Sequence, residues 1–145
     1  MISQGQTEYP FLNLHLGEGQ NTDFTDDSFD AIILFGVLTC IVDNKEQILL
    51  INEVKRLLRP GGILYINDFL INSDDRNISR YNLYKDKYQT YGVFESNDGV
   101  ILRHHTPEWI KQLTSLLEQI VFETVTFPTM NGYKSNEFYF MGKNV

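Results

Sequence analysis

Two adjacent histidines, His104 and His105, stand directly before a helix-start signal, Thr106-Pro107-Glu108. Imidazole exchanges protons near neutral pH, so this pair could contact a substrate or take a proton from it; as helix-entry residues they could equally pack or face solvent. Asp68 lies toward the carboxyl end of the apolar run Ile63 to Ile71. Open α/β sheets bind ligands beyond the carboxyl ends of their strands, which suits Asp68 to substrate contact, while an aspartate there also serves an ordinary turn. Tyr81, Tyr84, Tyr88 and Tyr91 recur at three, four and three residues, one face of a helix, so the stripe either packs or, through Tyr84, faces a substrate. Cys40 is the single cysteine. It can form no internal disulfide, and a tetrahedral metal site would need more thiols or a spaced histidine set, so neither redox nor metal chemistry is indicated.

The elements that must position these residues follow from local pattern. Residues 1–9 are polar and are expected to fray. Leu12, Leu14 and Leu16 alternate with polar residues, which predicts a strand over Phe11 to Leu16 with one covered face. Gly17 to Ser28 is a turn-rich surface loop. Ala31 to Phe35 is a continuous, partly β-branched apolar run, expected to be a parallel strand buried on both faces, with Gly36 at its end. Asp43 and Glu46 form a capping pair for a helix whose stripe is Ile48, Ile51, Val54 and Leu58, widened by Leu50 and Leu57. Pro60 ends that helix at Arg59, Gly61 and Gly62 reverse the chain, and Ile63 to Ile71 returns as a strand. Strand, helix and strand joined by short turns make a right-handed βαβ unit with a parallel pair, hence an α/β class. Asn72 to Asn77 reads as a polar loop and Ser79 to Tyr91 as a helix. A second helix after Thr106 buries Ile110, Leu113, Leu117 and Ile120. Two antiparallel strands, Phe122 to Phe127 and Glu137 to Met141, close the chain around a turn at Met130 to Tyr133.

With 145 residues, 42% hydrophobic and 21% charged, the chain is expected to form one domain spanning residues 1–145. Its net charge of −7, from 19 acidic against 12 basic residues, opposes a nucleic-acid backbone, so no RNA or DNA partner is expected. No apolar run approaches the roughly 20 residues that cross a bilayer, so no membrane partner is expected. Residues 1–6 lack the basic-then-apolar pattern of a secretory signal, which makes the cytoplasm the default location.

The block from Phe24 to Asp68 combines Thr25-Asp26-Asp27-Ser28-Phe29-Asp30, an apolar strand, a helix ending in Arg56-Leu57-Leu58-Arg59-Pro60-Gly61-Gly62, and a strand reaching Asp68. This combination resembles the second half of a class I S-adenosylmethionine-dependent methyltransferase domain of the type 11 group. The resemblance implies a Rossmann-like α/β fold, with a mostly parallel sheet and an antiparallel last strand. Ala31 to Phe35 would be the fourth strand and Ile63 to Ile71 the fifth. It places Glu18, with Gly19 beside it, where a family acid accepts a hydrogen bond from the adenine amino group; the family usually has aspartate there. Phe35, Gly36 and Val37 would lie beside the methionine part of the cofactor, with Phe35 serving as a core or wall residue. Asp68, Tyr84 and His105 remain the candidates for contact with a small-molecule methyl acceptor.

Leu14 to Gly19 superficially resembles the strand and glycine loop that open the same domain. A helix must follow that loop directly to aim backbone amides at the ligand, yet Gln20 to Ser28 holds only turn formers around Phe24. That alternative is rejected. The glycine-rich cofactor loop and the ribose-binding acid are then expected to be absent, implying weak or no S-adenosylmethionine binding by this chain alone. A non-catalytic interaction module, or a truncated fragment, is the competing expectation. A fourth strand without its neighbour has a bare edge, which implies a homodimer or a partner that completes the domain. Methyl transfer from a sulfonium needs alignment more than acid or base machinery, so no catalytic residue is assigned.

Overall fold

Helix α2 (Asn44–Leu57) lies between strands β1 (Phe29–Phe35) and β2 (Leu58–Phe69), and its buried stripe of Leu50, Ile51, Val54 and Leu57 packs on the sheet that the two strands begin. The computed structural model describes Ile2 to Val145. Asp43 caps α2 by accepting from the amides of Lys45 and Glu46. Glu46 does not close the predicted capping box; its carboxylate accepts from Gln20 instead. Ile48 is exposed and Gln47 takes its place inside. The helix stops at Leu57, ahead of Pro60. Asn144, at the far end of the chain, donates to the carbonyls of Leu58 and Lys55, closing the helix end with a residue no local pattern could supply.

The remaining elements are α1 (Ile2–Glu8), a 3₁₀ turn (Leu38–Cys40), α3 (Asp75–Tyr88), β3 (Val93–Glu95), β4 (Ile101–Arg103), α4 (Pro107–Leu113), β5 (Glu118–Pro128) and β6 (Lys134–Lys143). The main sheet runs β1-β2-β6-β5. β1 and β2 are parallel, with Ala31 opposite Ile63 and Phe35 opposite Asn67; β6 is antiparallel to β2, with Met141 opposite Tyr65 and Glu137 opposite Phe69. This is the expected α/β, Rossmann-like arrangement with an antiparallel last strand.

The strand periodicity divides the sheet into two unlike faces. Leu34, Leu64, Ile66, Phe138 and Phe140 point to one face, where α2 and α4 cover them; each such side chain contributes about 2 kcal/mol on burial. The opposite face carries Phe35, Tyr65 and Tyr139 as a row of rings, 5.6 and 6.4 Å apart. No helix covers it. β1 is therefore not the doubly buried strand its apolar run predicted: Ile33 is 60% and Phe35 64% exposed, so Phe35 is no core residue. An apolar run reports hydrophobicity; which face is covered depends on the neighbouring layers.

Other differences are local. Ile2–Glu8 is helical instead of frayed, with Gln6 donating to the Leu14 carbonyl; Met1 lies outside the described residues. Residues 11–16 form no strand, because no neighbour supplies a ladder. α3 starts at Asp75, inside the predicted loop, since Asp74 caps it by accepting from the Asn77 amide. α4 ends at Leu113, and Ile120, expected on its buried face, is instead an exposed residue of β5 at a shift in the β5–β6 register. The β3–β4 hairpin was not anticipated, although Ser96 to Gly99 is a turn signal between apolar runs.

Candidate active site

The carboxyl end of β2 is tied to the 3₁₀ turn by Asp68. Its carboxylate accepts from the amides of Thr39 at 3.2 Å and Phe69 at 2.8 Å, and Thr39 in turn donates its hydroxyl to the Arg103 carbonyl. Asp68 is 1% exposed, and burial pushes its carboxyl up to about 6 despite these amides. It fixes Thr39, which lines a cavity of which Asp68 is not part of the wall.

His105 is equally enclosed, at 1% exposure. Its Nδ1 donates to the Phe69 carbonyl at 3.2 Å and its Nε2 meets Gln47 at 2.8 Å. Gln47 also donates to the carbonyls of Leu38 and Ile41 and accepts from Trp109. Both ring nitrogens are occupied by the scaffold, so His105 presents nothing to a ligand. Burial and the Arg103 cation push it down to about 3, a neutral ring at physiological pH.

His104 is the member of the pair that reaches a cavity. A space of about 300 Å³ is bounded by Thr39 and Phe69, by His104, by Asn72 and Arg80 of the α3 side, and by Phe94 of the hairpin. Tyr81 fixes the imidazole. Its hydroxyl accepts from the Asn72 amide at 3.3 Å, so its proton goes to His104 Nδ1 at 2.6 Å. With Nδ1 an acceptor, the ring proton sits on Nε2, an assignment made from the bonding network. Burial, with Arg80 close by, pushes His104 down to about 3. The ring is thus a neutral N–H donor, suited to holding an acceptor and unsuited to removing its proton. Adjacency in sequence could not say which histidine turns inward.

Tyr84 is half-buried beside the cavity, in a neighbouring depression of about 690 Å³ that it shares with Arg76 and Arg80. Tyr81, not Tyr84, is the wholly buried member of the stripe. Arg76 and Arg80, four residues apart in α3, were not singled out in sequence; their i, i+4 spacing was the available signal.

The residues given to the cofactor separate into two places. Glu18 and Gly19 line a second cavity of about 490 Å³ in the loop from His15 to Phe24. The loop is fastened to α2 by Glu53, which accepts from the Thr22 amide and hydroxyl and from Arg56; Arg56 also reaches Asp26. Phe35, Gly36 and Val37 lie outside that cavity, at the end of β1, where Gly36 has φ +59° and donates its amide to the Asn67 carbonyl. The left-handed conformation at Gly36 turns the chain from β1 into the 3₁₀ turn.

A family model described as a methyltransferase domain matches residues 1–66. That match spans a little under half of the chain. Its fold agrees with that of a methyltransferase from Methanosarcina mazei, with a TM-score of 0.88 at 23% identity, over 99% of this chain and 77% of that one. The N-methyltransferase NodS from Bradyrhizobium japonicum, solved with S-adenosyl-L-homocysteine, has a TM-score of 0.64 at 13% identity over 99% of this chain and 61% of that one. Among curated proteins, the tRNA N(3)-cytidine methyltransferases METTL2 of Mus musculus and Bos taurus are both 38% identical over 61 residues. That stretch is 42% of this chain and 15% and 16% of those proteins, respectively. Among the described residues no helix is long and apolar enough to cross a membrane.

Proposed function

We propose that this chain supplies the acceptor side of an S-adenosylmethionine-dependent methyltransferase acting on a small molecule in the cytoplasm. The observation that carries this reading is the cavity at the carboxyl end of β2, lined by His104, a neutral ring whose Nδ1 is held by Tyr81. When bound, the cofactor supplies an already activated methyl group, so the protein's part is to orient the acceptor and exclude water. His104 and Thr39 would hold a polar group of the acceptor, and Phe69 and Phe94 would enclose its apolar part.

Glu18 fits an adenine contact in one respect: its carboxylate makes no hydrogen bond within the described residues and lines a cavity of small-ligand size. Gly36 and its neighbours would meet the methionine part. The outer edge of β1, unpaired among the described residues and flanked by exposed Ile33 and Phe35, supports association with a second copy of the chain. A tRNA acceptor, as named for the METTL2 proteins, is the second reading; the net charge of −7 weighs against it.

Amide NMR during titration with S-adenosylmethionine tests the reading. Weak binding is expected, with shifts at Glu18 and Gly19 and from Phe35 to Val37. No shift at either place, even at high ligand concentration, would favour a non-catalytic interaction module.

A further inference from the structure

Three cations gather at the cavity beyond β2, with the charge of Asp74 close enough to act on Arg76 and Arg80. Arg76 and Arg80 leave one face of α3, and Lys134 opens β6 on the facing wall. None of them forms an ion pair among the described residues, whereas Arg56, Arg59 and Lys87 all do. Nearby carboxylates are engaged elsewhere. Asp74 caps α3, accepting from the backbone and side-chain nitrogens of Asn77, and Glu95 is held by Lys87 and Tyr88. Asp98, on the hairpin turn, pairs with none of the three. In a chain with net charge −7, this is a local reversal of sign.

Arg80 is the most informative of the three. Its guanidinium lies 3.6 Å above the Phe94 ring, which fixes its plane, and its Nε is sealed from solvent with no hydrogen-bond partner. Burial also lowers its pKa, as expected for a cation short of anionic partners. A buried donor left unpaired is destabilising, a cost that an oxyanion bonding to it removes. Arg76 is held 4.0 Å over the Tyr133 ring, so both guanidiniums are oriented by aromatic faces without being neutralised. Planar guanidiniums are suited to the paired oxygens of carboxylates and phosphates. His104 lines the same cavity as a neutral ring.

Resting on the methyltransferase reading for the ligand's role as acceptor, we propose that this cavity binds the anionic group, phosphate or carboxylate, of a small methyl acceptor. Arg80 is the principal contact, with Arg76 and Lys134 closing over the anion.

The test titrates inorganic phosphate and, separately, acetate into the full chain at constant ionic strength, observing the arginine Nε–H resonances by NMR. Saturable binding is expected, with the Arg80 resonance moving most. Arg80→Met should weaken it roughly tenfold, and Arg76→Gln and Lys134→Gln roughly threefold each, while Arg59→Gln, on the exposed Asp30 pair, leaves it unchanged. Should Arg80→Met unfold by losing the Phe94 stack, the two exposed-site variants decide. Preference for phosphate or for acetate assigns the anion. Shifts that never saturate, or that are insensitive to Arg76 and Lys134, overturn the proposal. So does binding of unfractionated tRNA that Arg80→Met abolishes when neither small anion binds, because the cavity would then serve an RNA backbone. Phosphate binding without any cofactor-induced shift would overturn the methyltransferase reading and leave the anion site standing.

Discussion

Asp68 offers a measurement whose size and sign both follow from its surroundings. Its carboxyl is raised from 3.8 to about 6, first because it is buried, with the amides of Phe69, Thr39 and Leu38 opposing and Glu137 adding slightly to the rise. Between those two values the folded chain holds a proton that the unfolded chain has released. Stability from this group is therefore fully present below about pH 3.8 and is lost as pH rises through about 6. The whole shift corresponds to about 3 kcal/mol, of which about 2.5 kcal/mol falls between about pH 4 and about pH 7. Urea unfolding of the natural chain and of Asp68→Asn at those two pH values isolates it. The variant loses one amide partner and is expected to be altered at every pH, but that change cancels when each protein is compared with itself, as do contributions from His104 and His105. The natural chain should lose about 2.5 kcal/mol more than the variant on going to the higher pH. Parallel stability changes, within about 1 kcal/mol, would refute the claim that burial outweighs the amides at Asp68.

Glu53 has the opposite sign: its carboxyl is lowered from 4.5 to about 2, chiefly by Arg56. Its contribution persists above about pH 4.5 and disappears as pH falls through about 2. Glu53→Ala should destabilise the chain by about 2 kcal/mol and release the loop that carries Glu18, seen as faster amide exchange at Thr22 and Asp27. Gly92 has φ +97°, and an added Cβ would stand 2.3 Å from the His104 carbonyl oxygen. Gly92→Ala is expected to cost about 3 kcal/mol and lower the melting temperature sharply, whereas Gly99→Ala, also at positive φ but in open space, should cost about 1 kcal/mol. Nitrogen NMR of His104 should show a neutral ring protonated on Nε2 from neutral pH down to about 4, and a midpoint near 6.5 would contradict the Tyr81 arrangement. Sedimentation at increasing concentration should show dimers that Ile33→Lys disperses; a monomer throughout would exclude association by the β1 edge.

Sequence alone determined the βαβ unit, because its signals are short-range. Asp43 and Thr106 start their helices with their own side chains, and Asn131-Gly132 turns the chain between the last two strands; the reversal expected at Gly61-Gly62 does not occur there, because β2 already begins at Leu58 and runs through both glycines. The family resemblance was legible for the same reason, since it rests on contiguous blocks. Burial of β1 was not legible. Hydrophobicity along Ala31 to Phe35 is the same whether one face is covered or two, and only the placement of α2 and α4 leaves Ile33 and Phe35 exposed. The site was still less so. Asp68 and His105 looked like ligands because carboxylates and imidazoles do chemistry, yet long-range contacts with Thr39, Gln47 and Phe69 make them braces. His104, Arg76, Arg80 and Lys134 come together from β4's end, α3 and β6, separated by up to 58 positions in the chain. Such a constellation depends on the tertiary fold, because side-chain direction is set by packing partners that local sequence does not name.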